Sequence, residues 1–270
     1  MNTDSLYHIG FGERDLGSPA PRIALLSGDP DRARFIAESA PGVTLEKKLS
    51  ENRGLNSYLA RLPNGRRFIS ATSGMGAPSL SIVLNELVQV GVRAVIRVGT
   101  SGAIQANVKM GSIVITRAAL CRQGAADDIA PKEYPAAANP FLTMALVDAA
   151  RALDADWHIG VTASVDTFFE GQERAESSAN KALLRHLRGI TEEYRSLGIL
   201  NYEMESGTLF KMGGVYQIAT ACVCAVIANR TQSENPDLNA KDRAVRDAIA
   251  VALRAAENFD DAYFDARFTR

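Results

Sequence analysis

Short apolar runs alternate with longer amphipathic runs along nearly the whole chain, and this alternation limits what it can fold into. "RIALL" (22–26) reads as a buried strand. "DPDRARFIAESA" (29–40) reads as the helix after it, with Asp29 as N-cap and Pro30 in the first turn. "VTLEKKL", "NSYLARL" and "RRFISAT" are strand-like, and "PNG" turns the last pair into a hairpin. Within 77–91, Leu80, Val83, Leu84, Leu87 and Val88 share one helix face, and Gly91 suits the position past its end. Strands follow at 93–99 and 111–116, a helix at 140–153 and a strand at 157–165. "MESGTLFKMGGV" opens a helix, 217–228 is a strand, and "NAKDRAVRDAIAVALRAAENF" is a closing helix. This order predicts an α/β protein in three layers, with helices on both faces of a central sheet. The strand-rich stretch near 43–71 makes that sheet mixed. No Pro/Ser linker or internal repeat divides the chain, so one domain is expected over 1–257. The tail at 258–270 is expected to be disordered or to dock its aromatics on a neighbour.

Composition narrows the partners. Lys and Arg total 30 against 31 Asp and Glu, a net charge of −1. That balance offers no general field for nucleic acid or anionic lipid, so a bound anion must meet a local cluster of cations. "MNTDSLYHIG" lacks the basic and apolar regions of a signal peptide, and no apolar run is long enough for a membrane span. Three cysteines are too few for a disulfide framework, and a reducing cytoplasm is the expected setting. Cys222 and Cys224 alternate in "ATACVCAVIA" and are expected to fill a strand core. His8, His158 and His186 show no metal-ligand spacing, and no metal is expected. There is no Walker A loop, no G-x-G-x-x-G after a strand and no G-x-S-x-G elbow.

An anion site is nevertheless indicated at the carboxyl ends of the strands, where sheets of this class bind ligands. "LSGDPDR" joins a strand to a helix N-terminus, Gly28 permits close backbone approach, and Arg32 lies in the first turn, where a cation is unfavourable without an anion. "IRVGTSGAIQ" puts Arg97 at the end of an apolar strand, before a glycine-rich turn carrying Thr100 and Ser101. A buried, unpaired guanidinium would be costly, so a bound oxyanion is expected to complete it. The alternatives are a surface pair with Asp29 for Arg32 and a structural buried pair for Arg97.

A second group lies in "DTFFEGQER" (166–174), where Phe168 and Phe169 precede Gln172 and Arg174. An aromatic face, an amide and a guanidinium can read a planar imide edge such as that of uracil. The alternative is a surface loop with a buried Phe. "NYEMES" (201–206) sets Glu203 and Glu205 two apart before a helix. They can accept from sugar hydroxyls or complement the helix dipole.

"GDPDR", "RVGTSGAIQ", "VTASVDTFFEGQER", "NYEMES" and "VIANRTQ", in that order, resemble the nucleoside phosphorylase-I superfamily, and within it the bacterial uridine phosphorylases. The resemblance implies a central mixed, partly barrel-like sheet and reversible phosphorolysis of uridine. It implies that Gly28, Arg32, Arg97 and Thr100 hold inorganic phosphate, with Arg53 donated by a neighbouring subunit. His8 would cross the same dimer to the ribose 5′-hydroxyl. Glu203, Met204 and Glu205 would face the ribose, and Gly102, Phe168, Gln172, Arg174 and Ile227 the uracil. Arg230 would lie near the base, where an arginine suits a pyrimidine leaving group and the purine enzymes carry an aspartate. Arg97, Thr100, Gln172, Arg174 and Arg230 are the expected catalytic set. No cofactor is implied beyond phosphate as co-substrate, and the expected assembly is a hexamer of dimers. Gly54 stands where an acidic residue would help hold potassium, which puts such a site in doubt. Glu170 and Ala175 depart from an expected proline and aromatic. A nucleosidase of the same fold and a non-catalytic nucleoside binder are the other readings.

Overall fold

A computed structural model describes residues 5–231 and 238–264. Its strands are β1 (Ile23–Ser27), β2 (Thr44–Ser50), β3 (Ser57–Arg61), β4 (Arg67–Thr72), β5 (Ala94–Ala103), β6 (Ile113–Arg122), β7 (Trp157–Val165), β8 (Asn201–Glu203) and β9 (Ala219–Asn229). Its helices are α1 (Pro30–Glu38), α2 (Ala77–Gln89), α3 (Gly124–Asp127), α4 (Pro140–Ala152), α5 (Ile190–Ser196), α6 (Ser206–Tyr216) and α7 (Leu238–Asn258). The local signals act as expected. Asp29 accepts the N–H of Asp31 at 2.9 Å to start α1, and the hairpin at "PNG" joins β3 to β4. Asn139 accepts the N–H of Leu142 at 3.0 Å to start α4.

The strands form one mixed sheet in the order β2-β3-β4-β1-β5-β8-β7-β6-β9, and β9 returns to pair with β5. Strands β5, β8, β7, β6 and β9 therefore close into a small barrel, with β1 to β4 extending from it as an open sheet. One large core lies between the sheet and α1, α4 and α7, through Ile36, Leu146, Ile96, Val223 and Ala252. A second lies under α2 and α6, through Leu80, Leu84, Val95, Leu209 and Cys222. Burial on both faces accounts for the continuous apolar runs in β1 and β9. Cys222 and Cys224 are buried on β9, as expected. Tyr263 stacks on Phe141 of α4 at 4.2 Å, so the start of the tail packs on its own chain. Residues 265–270 lie outside the described residues.

The structure corrects the reading of "IRVGTSGA". Arg97 is not at a strand end, and no turn follows it: β5 runs on through Ala103. The glycines make room for side chains. A Cβ on Gly99 would lie 1.7 Å from Arg97 Nη1 and 2.9 Å from Cys224 Sγ. One on Gly102 would lie 3.2 Å from Arg174 Nη2.

Strand β9 flanks β5 along its whole length, from Ala94 to Ala103. The other flank is divided. Strand β1 pairs with β5 only as far as Leu26↔Arg97, and β8 takes over antiparallel at Gly102↔Tyr202. The sheet thus forks between Arg97 and Gly102, and this opening places the site.

Candidate active site

A cavity of about 540 Å³ opens at the fork. Its walls include Gly28, Arg32, Arg97, Thr100 and Gly102 on one side and Phe168, Gln172, Arg174 and Ile227 on another. Glu203, Met204 and Glu205 line it as well. The fold therefore brings twelve of the fifteen expected site residues together.

The cationic end comes from α1 and β5. Arg32 leaves the first turn of α1 and donates from Nη1 to the Val98 carbonyl at 3.2 Å, on the stretch of β5 that neither β1 nor β8 covers. Its contact with Asp29 is 4.0 Å. Burial pushes the Arg32 guanidinium below its ordinary pKa; Asp29 opposes this and the nearby Arg97 adds to it. Arg97 is 4% exposed. Its Nη2 pairs with Glu205, and its Nη1 lies 3.8 Å from Glu203 and donates to Cys224 Sγ at 3.4 Å. The structural pair considered for Arg97 is therefore present, and no oxyanion is required to balance its charge. Burial alone would depress Arg97, yet Glu205, Cys224 and Glu203 together hold it well above the ordinary arginine value. The Nε atoms of both Arg32 and Arg97 are buried without a hydrogen-bond partner. Both guanidiniums line the cavity beside the N-terminus of α1, a cationic end that suits a small oxyanion.

The carboxylates divide their work. Glu203 accepts the N–H of Glu205 at 2.9 Å and both the N–H and the hydroxyl of Ser206, the latter at 2.6 Å. It thereby caps α6, which is the helix-terminus reading of this residue. Glu205 accepts the Gly76 N–H at 2.6 Å and ties Arg97 to the segment entering α2. Burial pushes the Glu205 carboxyl above its usual range; Arg97 opposes this and Glu203 adds to it. Gln123, which the sequence did not single out, donates to the Met204 carbonyl at 2.6 Å and accepts the Thr208 N–H.

At the opposite end, Gln172 and Arg174 are buried and joined, with Arg174 Nε donating to Gln172 Oε1 at 3.1 Å. The Arg174 guanidinium lies 4.3 Å over the Phe168 ring, so in this structure the aromatic face carries an arginine. Phe168 itself is 46% exposed. Of the two departures in this loop, Glu170 accepts the Ser178 hydroxyl at 3.0 Å, and Ala175 packs against the cluster of Ile104, Leu187 and Tyr194. Arg230 stands behind the wall, 5.3 Å from the Tyr202 ring and against Gly102.

His8 and Arg53 do not line this cavity. They sit together on an outer face, where Asn52 donates to the carbonyls of Tyr7 and His8, and Arg53 donates to the Tyr7 hydroxyl at 2.9 Å. Glu86 holds His8 through Nδ1 at 2.7 Å and accepts the N–H groups of His8 and Ile9. Met75, Tyr202 and Lys241 also line the cavity, and the sequence reading gave none of them a role. Tyr202 lay inside a quoted motif. Met75 and Lys241 carried no signal, being a lone apolar residue before α2 and an ordinary lysine on the closing helix.

A family profile described as the phosphorylase superfamily matches residues 22–260. The chain belongs to that superfamily. It is 38% identical over 258 residues to a uridine phosphorylase of Escherichia coli (strain K12), covering 95% of this chain and 98% of the relative. It is 38% identical to one of Haemophilus influenzae, over 93% and 97% of the two chains. One of Thermococcus kodakarensis is 34% identical, over 92% of this chain and 86% of the relative. Among the described residues no helix is long and apolar enough to cross a membrane.

Proposed function

We propose that the chain is a uridine phosphorylase, a pentosyltransferase that exchanges the uracil of uridine for inorganic phosphate and gives uracil and ribose 1-phosphate. The reading is carried by one arrangement: the guanidiniums of Arg32 and Arg97 at the fork, in the same cavity as the Gln172–Arg174 pair. The relatives bearing that name support it over nearly the full chain.

Phosphate is already a nucleophile, so catalysis here is positioning and electrostatics. Arg32, Arg97 and the Thr100 hydroxyl receive it beside Gly28 and aim it at the anomeric carbon. Glu205 and Met204 face the ribose, with Glu203 holding their turn in place. As the glycosidic bond lengthens, the ribose gains positive charge and phosphate stabilises it. Gln172 and Arg174 stabilise the negative charge growing on uracil, Gly102 and Ile227 shape the floor of that pocket, and Arg230 supports it from behind. A donor of this kind contributes about 2.7–4 kcal/mol.

His8 and Arg53 serve a neighbouring subunit's site in a dimer, and three dimers make a hexamer. Glu86 and Tyr7 present those two side chains outward. Three free cysteines fit a reducing cytoplasm, and phosphorolysis of uridine fits a role in pyrimidine salvage. The test is uracil release from uridine, followed by absorbance with and without phosphate. Phosphate-dependent release is expected. Release without phosphate would make the chain a nucleosidase, and no release would make it a binder.

A further inference from the structure

Gln172 and Arg174 point into the cavity, and Glu173 between them points the other way. Its backbone is left-handed, at φ 54°, a conformation that costs a residue with a Cβ and persists only when its surroundings hold it. The holding contacts are specific. The Glu173 carboxylate accepts the N–H of Gly189 and, at 2.9 Å, that of Thr191. These are the N-cap and second residue of α5, where free amides and the positive end of the helix favour a carboxylate. The Glu173 carbonyl meanwhile accepts from Arg230 Nη2 at 3.4 Å. Helix α5 is itself fixed, since Ile190 and Tyr194 pack in the cluster that contains Tyr202 and Val165.

We infer that Glu173 is a positioning residue for base recognition: its carboxylate clamps the Gln172–Arg174 loop to the N-terminus of α5 and so fixes both groups that read the base. The clamp acts through a single side chain that touches neither substrate. Without it, the left-handed turn loses the contacts that offset its cost, and Gln172 and Arg174 sample other positions. The link from this turn to β5 runs through Arg230, which donates to the Glu173 carbonyl and, from its backbone, to that of Ala103 at the far end of the strand from Arg97. The effect is therefore expected to be larger at the base than at the phosphate end. This rests on the proposed uridine reading only for its kinetic consequence.

Asn at position 173 tolerates the left-handed backbone yet is one methylene too short for the clamp, and Gln keeps the length and one acceptor. Glu173→Asn is expected to raise KM for uridine about tenfold or more, with KM for phosphate within about twofold of wild type. Glu173→Gln is expected to recover most of the loss. In ligand-free protein, amide exchange at Gly189, Thr191 and 168–174 is expected to quicken in Glu173→Asn and not elsewhere. Equal rises in both KM values, or unchanged exchange in the loop, would overturn the clamp. If wild-type protein does not split uridine, the proposed function fails, and the exchange measurement alone decides on the clamp.

Discussion

Replacing Arg97 with methionine tests the site and its energetics together. In the folded protein the Arg97 guanidinium is the counter-ion of Glu205, which is 4% exposed. Methionine preserves much of the side-chain volume but leaves that carboxylate buried and unpaired. Breaking a buried pair from one side costs about 3–5 kcal/mol. A protein of this size loses roughly 2–4 °C in Tm per kcal/mol, so Arg97→Met is expected to melt about 6–20 °C below wild type at pH 7. Burial already raises the Glu205 pKa in the folded state, and Arg97 is the influence that opposes it. Removing Arg97 raises it further. A carboxyl with a raised folded pKa loses stability as pH rises through that value, so the deficit is expected to shrink from pH 7 to pH 5. Adding Glu205→Gln removes the unpaired charge and keeps an acceptor for the Gly76 N–H. The double variant is expected to regain most of the lost Tm. Phosphorolysis should behave differently, falling about 10²–10³-fold in Arg97→Met and staying low in the double variant. Thermal unfolding at two pH values and uracil absorbance measure both quantities. An Arg97→Met protein with wild-type Tm and near-normal phosphate-dependent turnover would refute the reasoning at both levels.

Gly99→Ala places a methyl group on Arg97 and Cys224, and is expected to raise KM for phosphate at least about tenfold and to cost about 1–3 kcal/mol, read by kinetics and melting. Arg53→Ala and Arg97→Ala are each expected to be nearly inactive, whereas subunits mixed after denaturation and refolding should recover about one quarter of wild-type activity if sites are shared within dimers; no recovery would place Arg53 outside the neighbour's site. Glu86→Ala leaves the N–H groups of His8 and Ile9 unpaired and is expected to lower stability by about 1–3 kcal/mol while raising KM for uridine. Because Glu205 titrates above the ordinary carboxylate value of about 4.3, the acid limb of kcat/KM should lie above that pH, and a limb at or below it would count against Glu205 as the controlling group.

The layered fold was legible because its main elements announce themselves locally. The α2 face repeats at helical spacing, Asp29 and Asn139 cap their helices, and β1 and β9 carry long apolar runs because both their faces are covered. Strand β8 was not legible: three residues cannot display an alternation, and Asn201–Glu203 exists because β5 and β7 hold it from both sides. Helix α5 was missed for a related reason. Its N-cap is Gly189, and the carboxylate satisfying its first amides comes from Glu173, sixteen residues earlier in the chain. The site residues were legible as types and motifs, but their partners were not. The sequence shows that Arg97 and Glu205 both exist, and only the fold shows that one neutralises the other. The glycines after Arg97 misled for a physical reason, since glycine that frees a backbone and glycine that vacates space for a guanidinium look alike in a string of letters.

The fork in the sheet has one further consequence. From Val98 to Ser101 the β5 backbone is paired on one flank by β9 and by neither β1 nor β8 on the other, an edge that faces the fork. Arg32 covers one carbonyl of that interior seam. On the proposed reading, substrate in the cavity would lie against that seam, and the amides of residues 98–101 are expected to report whether the site is loaded.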